Sequence, residues 1–160
     1  MVTEAQILDW LQAVKDPEIP VLSLVDLGVI TGVDLPDADT VHVEMTPTFA
    51  GCPAIETMRR EVEAALKGHG IANVQVNVSF ATAWTSNRIS ERGLQQLKAF
   101  GLAPPARHNL IVDLDILEST PCPYCNSADT ELKSPFGPTL CRSLHYCHSC
   151  KQAFEGFKPL

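Results

Sequence analysis

Hydrophobic residues recur at helical spacing near the beginning of the chain. Thr3 and Gln6 match the T-x-x-Q form of a capping box, in which two side chains satisfy backbone amides of the first helical turn. The apolar positions that follow share one helical face and are Ile7, Leu8, Leu11 and Val14. Proline disfavours helical geometry in the residue before it and donates no backbone hydrogen bond, so Asp16-Pro17 ends the element. The pattern predicts an amphipathic helix from Thr3 to Asp16.

Apolar and polar residues alternate in two later stretches, from Val29 to Leu35 and from Val41 to Met45. The turn-forming residues between them are Pro36, Asp37 and Asp39. Alternation on both sides of a turn is typical of a β-hairpin with one buried face. We therefore expect the core to receive the side chains of Val41, Val43 and Met45.

Helical spacing returns after Pro53, which fits the first position of a helix because no amide hydrogen is needed there. The apolar face of this helix comprises Ile55, Met58, Val62, Ala65 and Leu66, and the glycines that close it are Gly68 and Gly70. Strict alternation then predicts a third strand, whose buried face comprises Val74, Val76, Val78 and Phe80.

A last helix of this region begins near Ser90 and ends at Gly101, ahead of two consecutive prolines. Its apolar positions are Leu94, Leu97 and Phe100. The order α-β-β-α-β-α predicts a small α+β domain over residues 1–105. Residues 106–120 are then a connecting segment, with a short apolar strand from Leu110 to Leu117, and residues 121–160 are a C-terminal subdomain.

Composition and charge narrow the class of protein. The 160 residues are 45% hydrophobic and 19% charged, which is typical of a globular chain with a core. The formal net charge of −7 argues against a nucleic-acid-coating protein. No apolar run approaches the ~20 residues of a membrane span, and the first residues lack the basic and apolar regions of a signal peptide. These features predict a cytoplasmic protein with neither a nucleic-acid nor a membrane partner.

Charge and cysteine both divide the chain. Residues 1–119 carry 16 acidic and 8 basic side chains, whereas residues 120–160 carry 3 and 4. Five of the six cysteines lie in the last 39 residues. In a reducing compartment, clustered cysteines more often bind metal or perform redox chemistry than form structural disulfides.

Four of these cysteines form two C-x2-C knuckles separated by 21 residues: Cys122 with Cys125, and Cys147 with Cys150. This spacing is typical of zinc ribbons, in which two tight turns aim four thiolates at one tetrahedral ion. A tail of ~40 residues is too small to be stable through an apolar core alone, so the metal would stabilise it. The pattern predicts structural zinc, or a rubredoxin-like iron on the same four sulfurs.

The other residues of the tail leave two alternatives open. Cys-Pro-Tyr-Cys is also the active-site sequence of glutaredoxins, although the turn and loop residues after it do not predict the helix that a redox motif opens. Cys141 and His145 are additional ligand candidates, either exchanging with a knuckle cysteine or binding a second, labile metal with His148. A spectator role for Cys141 is the simpler alternative, because four sulfurs already close a zinc site.

Cys52 stands alone, just before the second predicted helix. Unpaired amides and the helix dipole at that position favour an anion and would lower the thiol pKa, so Cys52 is a candidate nucleophile or soft-metal ligand. The alternative is a buried cysteine that acts as a small apolar residue. Asp16, Glu18 and Asp26 are acidic residues around an early loop and suggest a metal or general-base role; the simpler alternative is that Asp16-Pro17 ends the helix. The chain has neither a glycine-rich phosphate loop nor a nucleophile elbow, so no self-contained hydrolase is indicated.

Several of these motifs together resemble known families. The first unit resembles the small domain of iron-sulfur cluster assembly factors and metal-sulfur carriers, through Asp16–Pro20, Val25–Gly28 and the loop Thr46–Pro53 with Cys52. The remainder is similar to the PaaD subunits of bacterial phenylacetyl-CoA epoxidase systems. The segments that carry this second resemblance are Trp84-Thr85, Ile89–Gly93, Phe100–Pro105, the paired knuckles, Phe136-Gly137 and Phe154–Lys158.

The resemblance implies an accessory, non-catalytic protein of aerobic phenylacetate degradation. It would mature or repair the di-iron site or iron-sulfur cluster of its partners, the oxygenase and reductase subunits, with the iron-sulfur assembly machinery as a further partner. Cys52 would be the transient iron or cluster ligand, as a single thiolate or paired across a homodimer, and Asp16, Glu18 and Thr46 would shape its loop. The metal of the ribbon would be held by Cys122, Cys125, Cys147 and Cys150. The alternative is a structural adaptor that docks the oxygenase to its reductase.

Overall fold

The computed structural model describes residues 1–108 and 114–160, except for the side chain of Leu114. The chain forms two compact units, Met1–Trp84 and Thr85–Leu160. Within the described residues, no helix is long and apolar enough to cross a membrane.

The first helix, α1 (Glu4–Leu11), begins as the sequence predicts. Thr3 is the N-cap: its hydroxyl accepts a hydrogen bond from the Gln6 amide at 3.3 Å, and the Gln6 side chain accepts one from the Thr3 amide at 3.0 Å. The prediction that the helix continues to Asp16 is wrong. Residues 14–16 instead pair with residues 22–24, through bonds from the Leu24 amide to the Val14 carbonyl and from the Asp16 amide to the Leu22 carbonyl. Those bonds take backbone groups that a longer helix would need.

The predicted hairpin is confirmed as β1 (Ile30–Asp34) and β2 (Thr40–Met45), which pair antiparallel. The second helix, α2 (Ile55–Gly68), then connects β2 to β3 (Asn73–Val78), which lies parallel to β2. The strand order is β1-β2-β3. Buried side chains of β2 are those of Val41, Val43 and Met45, as expected, and those of α2 are Met58, Val62 and Leu66.

Two details of this unit differ from the prediction. Pro53 does not occupy the first helical position, because Ala54 is the N-cap of α2 and Pro53 precedes it in a turn closed by a bond from the Ile55 amide to the Cys52 carbonyl. The valines of β3 are only half-buried, and Phe80 lies beyond the end of the strand with 63% of its surface exposed. Alternation therefore located the strand correctly but overestimated its burial.

The second unit contains a four-stranded sheet. Its helix α3 (Glu91–Phe100) is capped by Ser90 and ends at Gly101, whose φ of 90° requires glycine. The strands that follow are β4 (Leu102–Ala103), β5 (Thr130–Ser134), β6 (Arg142–Cys147) and β7 (Ala153–Phe157), in the order β4-β7-β6-β5. β4 pairs in parallel with β7, so residues up to 103 belong to this sheet.

Two predictions about the connecting region need correction. The compact units divide after Trp84, not at residue 105, because α3 and β4 pack in the second unit. Residues Leu114–Glu118 form a short helix, α4, where the sequence predicted part of a strand from Leu110 to Leu117. Leu117 is buried between exposed Glu118 and half-buried Ile116, a burial pattern without strand alternation. The earlier part of the predicted strand lies outside the described residues.

Candidate functional site

The two cysteine knuckles have the same backbone form. In the first, the Cys122 amide donates to the Ser127 carbonyl at 3.0 Å, and in the second the Cys147 amide donates to the Gln152 carbonyl at 2.9 Å. The residues after the second cysteine of each knuckle, Asn126 and Lys151, both have a φ of 61°. This left-handed residue turns the chain back, so both cysteines of a knuckle face the same point.

The four thiols meet as a tetrahedral metal site requires. All four Sγ atoms lie within 4.8 Å of one another, with 3.7 Å between Cys122 and Cys150 and 3.5 Å between Cys125 and Cys147. A tetrahedral ion with metal–sulfur bonds of ~2.3 Å has sulfur–sulfur edges of about 3.8 Å. A disulfide would bring two sulfurs to ~2.05 Å, so these distances fit an ion and not a covalent bridge.

The thiols differ in burial and acidity. Cys122 and Cys147 are buried with Ala103 and Phe154, and Cys150 packs against this cluster. The Cys150 amide stabilises the thiolate of Cys147 and lowers its pKa to about 7, whereas desolvation raises the pKa of Cys150 to about 12. Cys147 is therefore the first of the two to lose its proton, and a cation must displace the proton of Cys150.

The additional ligand candidates are not brought to these thiols. The group of converging ligand atoms in the described residues contains the four knuckle cysteines, without Cys141 and His145. Cys141 is buried, and its carbonyl accepts the Lys158 amide at 2.8 Å. His145 is 1% exposed, bonds the Ser143 hydroxyl at 2.7 Å and stacks on Phe154. The pKa of His145 is lowered because burial disfavours the imidazolium.

The first knuckle lacks the context of a glutaredoxin motif. Residues 123–125 form a turn that does not open a helix, and Cys122 is 1% exposed. A nucleophilic thiol in a redox motif needs access to its substrate disulfide. The structure therefore favours a metal site over thiol–disulfide exchange at these residues.

Cys52 is half-buried in the loop between β2 and α2. The sequence predicted a lowered thiol pKa, but the pKa is raised. Desolvation is the main cause, and the negative charges of Asp16 and Glu18 add to it. The amides of Ala54 and Ile55 at the start of α2 stabilise the thiolate, as the helix argument requires, but they are outweighed.

The predicted supporting residues lie around this loop. Asp16 Oδ1 accepts the amides of Glu18 at 2.8 Å and Ile19 at 2.9 Å, which fixes the loop that follows α1. Thr46 is buried where β2 ends; its amide donates to the Val29 carbonyl at 2.8 Å, and its hydroxyl bonds that of Thr31 at 3.2 Å. The structure thus brings the carboxylates of Asp16 and Glu18 into the electrostatic environment of Cys52. Thr46 is the first residue of the Cys52 loop, and its two hydrogen bonds fix the start of that loop.

Sequence reasoning missed two contributors to these sites. The first is the backbone amide of Ala54, which stabilises the Cys52 thiolate although the Ala54 side chain cannot cap the helix. The sequence would have indicated this contribution only if it had located the N-cap of α2 correctly. Ser143 holds the ring of His145 and lies two residues away on the same strand, so the twofold period of a β-strand was the available signal.

Comparison with known proteins assigns the family. Residues 4–79 match the model of the iron-sulfur cluster assembly protein family, and residues 114–158 match the PaaD zinc beta ribbon domain. The chain is 36% identical over 148 residues to a protein of Escherichia coli K12 named as a subunit of 1,2-phenylacetyl-CoA epoxidase, covering 92% of this chain and 88% of that protein. The chain belongs to the PaaD family. The expected α+β fold with a C-terminal zinc-ribbon-like subdomain is thereby confirmed for this PaaD protein.

The first unit of the PaaD chain has relatives of its own. An Fe-S protein maturation auxiliary factor of Porphyromonas gingivalis is 37% identical over 99 residues, which cover 59% of this chain and 90% of that protein. The crystal structure of a DUF59 domain from Bacillus anthracis is similar with a TM-score of 0.55 and 27% identity, over 59% of this chain and 90% of that one. The PaaD chain thus joins an assembly-factor-like unit to a cysteine-rich ribbon.

Proposed function

We propose that this protein is an accessory, non-catalytic subunit of a phenylacetyl-CoA epoxidase system, which matures or repairs the di-iron site or iron-sulfur cluster of its partner subunits. Cys52 receives the iron or cluster transiently, and the four knuckle cysteines hold structural zinc. The observation that carries the proposal is the thiol of Cys52 in the negative field of Asp16 and Glu18. The similarity to a protein named as an epoxidase subunit supports partner subunits of the same system, and we propose the oxygenase and the reductase as those partners.

The environment of Cys52 is unfavourable for a lone thiolate and favourable for a cation. Partial burial removes water from the sulfur, and two nearby carboxylates repel a negative charge there. A divalent iron would reverse this preference, because its positive charge stabilises the thiolate and is attracted by the same carboxylates. Iron arriving at Cys52 therefore displaces the thiol proton, and iron leaving it returns the sulfur to the protonated form.

A carrier must also release its cargo. One thiolate with peripheral carboxylates holds iron less completely than four thiolates closed around an ion. The four-cysteine group of the ribbon has the opposite character, since two of its sulfurs are buried and its distances match a closed tetrahedron. We assign transfer to Cys52 and a structural role to the ribbon on this difference.

The first experiment measures zinc, iron and acid-labile sulfide per chain after purification without oxygen. We compare the unaltered protein, Cys52→Ala, and Cys141→Ser as the control for loss of a cysteine outside the knuckles. The expected result is one zinc in all three, with substoichiometric iron or sulfide in the unaltered protein and Cys141→Ser only. Equal iron in Cys52→Ala, or none in any of them, would overturn the carrier role.

A second experiment follows the partners. Epoxidase produced in cells that contain only the Cys52→Ala form should carry less iron per oxygenase and reductase than epoxidase from cells with the unaltered protein. Full iron occupancy in the Cys52→Ala strain, together with a stable stoichiometric complex, would overturn maturation in favour of the adaptor.

A further inference from the structure

The edge of the first sheet formed by β3 is open. The amides of Asn73 and Ser79 donate to the carbonyls of Asp39 and Met45, so the odd-numbered residues of this segment bond to β2. In a parallel ladder the alternate residues face the other side, which places the backbone groups of Val74, Val76 and Val78 on the outer edge. Within the described parts of the chain, no residue pairs with them, because β3 has β2 as its one neighbouring strand.

The opposite edge of the same sheet is protected in ways that β3 is not. β1 is interrupted by a bulge between Ile30 and Gly32 and ends in the charged Asp34. Bulges, charges and prolines are the usual means by which an edge strand avoids pairing with another chain. β3 has the sequence NVQVNV, without a charge, a proline or a register shift. Only the β3 edge therefore retains the features of a strand that can be extended.

The side chains of β3 are also incompletely covered. Val74, Val76 and Val78 are half-buried, although they lie on the face of β3 that carries no polar side chains. An added strand would cover the outer flank of these valines as well as bond their backbone. Beyond the strand, Phe80 is 63% exposed.

The open edge leads to the loop that holds Cys52. β2 and β3 are parallel, so their carboxyl ends lie at the same end of the sheet. β2 continues there into Thr46 and the Cys52 loop, and β3 continues into Ser79 and Phe80. One end of a segment added along β3 would therefore lie near the Cys52 loop, which emerges from the same end of the sheet.

We propose that the β3 edge binds an extended segment of a partner epoxidase subunit as a fourth strand, and so holds that subunit at the Cys52 end of the sheet. The identity of the partner rests on the proposed function. Residues 1–84 carry 12 acidic and 4 basic side chains, a formal charge of −8, so basic residues should flank the bound segment. A second copy of this chain would instead bring an equal negative charge to the edge.

The test uses NMR-detected hydrogen exchange in the full-length protein, alone and mixed with purified epoxidase complex that lacks this subunit. We expect the amides of Val74, Val76 and Val78 to exchange at least about tenfold more slowly in the mixture. The amides of Gln75 and Asn77, already bonded to β2, should change less. Absence of binding, or binding without this protection, would overturn the proposal. Protection in the protein alone that rises with its concentration would also overturn it, in favour of a homodimer.

Matched variants address the two edges separately. Val76→Pro removes an outward-facing amide from β3, and Val33→Pro does the same on β1. Val33 pairs with Val43, whose backbone groups bond to β3, so the backbone groups of Val33 face away from β2. Val76→Lys is a second β3 variant that keeps the amide and adds a charge to the edge. We expect Val76→Pro to weaken epoxidase binding by about tenfold, because one hydrogen bond is lost. Val76→Lys should weaken it as well, because its charge opposes strand pairing, and Val33→Pro should leave it unchanged.

Iron content measured in the same samples separates this proposal from the proposed function. Cys52→Ala should retain the protection of the β3 amides, because it leaves the edge intact. Protection without Cys52-dependent iron would overturn the carrier role and leave the docking edge standing. Cys52-dependent iron with unprotected β3 amides would overturn the docking edge alone.

Discussion

The Ser143 hydroxyl lies 2.7 Å from Nε2 of His145, and both of these β6 side chains are buried. The hydroxyl donates its one hydrogen to the Gly156 carbonyl at 3.3 Å, so it accepts a hydrogen bond from His145. Nε2 therefore carries the hydrogen of the neutral ring. Within the described residues, His145 Nδ1 has no hydrogen-bond partner. A Cβ at Gly156 would approach Nε2 to 3.0 Å, so the group is closely packed.

Ser143→Ala should destabilise the ribbon because it leaves both nitrogens of a buried ring unsatisfied. The expected loss is about 1–3 kcal/mol in the free energy of unfolding of the metal-loaded protein. Chemical denaturation measures it, with Ser119→Ala as the control because Ser119 is exposed and its hydroxyl donates to the Asp115 carbonyl of α4. A loss no larger than that of the control would contradict the role assigned to Ser143.

Lys151 offers a stabilising substitution. It has a φ of 61°, a left-handed conformation that costs a residue with a Cβ about 1 kcal/mol. Lys151→Gly should therefore raise the stability of the metal-loaded ribbon by up to about 1 kcal/mol, less the extra freedom that glycine gains when unfolded.

Asn126 is the matched position in the first knuckle. Asparagine tolerates this conformation better, and the Asn126 side chain accepts a hydrogen bond from the Lys98 ammonium group. Asn126→Gly should therefore gain less than Lys151→Gly or lose stability. Thermal unfolding of both variants measures the difference, and the reverse order would show that backbone conformation does not dominate at Lys151.

These residues show what sequence patterns can predict. Local signals were sufficient for the capping box at Thr3, the buried face of Val41 and Val43, and the convergence of the knuckles, because each depends on spacing within one or two elements. The exposure of Phe80 was not predictable from alternation, since burial depends on whether another element covers the strand. The pKa of Cys52 was predicted in the wrong direction for the same reason. Its helix is adjacent in sequence, but burial of the thiol opposes the helix most, and the carboxylates of a distant loop add to that effect.

The two carboxylates near Cys52 should slow its reaction with electrophiles, in addition to the effect of burial. Asp16→Asn with Glu18→Gln removes both negative charges, which lowers the pKa of the thiol and raises the thiolate fraction at neutral pH. Alkylation of Cys52 by iodoacetamide at pH 7 should become roughly three- to tenfold faster. Asparagine at position 16 keeps an oxygen that can accept the amides of Glu18 and Ile19, so the loop should be retained.

Mass spectrometry of the peptide that contains Cys52 follows this reaction in the metal-loaded protein. Glu44→Gln, a neutralised carboxylate on an exposed position of β2, is the control and should leave the rate unchanged. An unchanged rate in the double variant would mean that desolvation alone sets the pKa of Cys52. Under the proposed function, the same double variant should also lose iron from Cys52 while its zinc content remains constant.

The ribbon should lose zinc as the pH falls, because metal binding needs four thiolates and the empty site holds protons. Well below pH 7 the Cys147 thiol, with its pKa of about 7, is protonated, so zinc binding must displace that proton. Above pH 7 Cys147 is already ionised, whereas Cys150, with a pKa of about 12, still contributes its proton. The logarithm of the zinc affinity should therefore rise more steeply with pH below pH 7 than above it, by about one unit per pH unit.

Competition with a chromophoric chelator across this pH range measures the two slopes. Cys147→Ser removes the more acidic thiol of the second knuckle, so it should weaken zinc binding and abolish the change of slope. Cys52→Ala should reproduce the curve of the unaltered protein. Chelation at neutral pH should also unfold the two knuckles and the strands that carry them, because the bound ion joins the four thiols, and should leave the far-ultraviolet signal of α1 and α2 in place. A slope that does not change near pH 7 would show that the Cys150 amide does not single out Cys147 as the first thiolate.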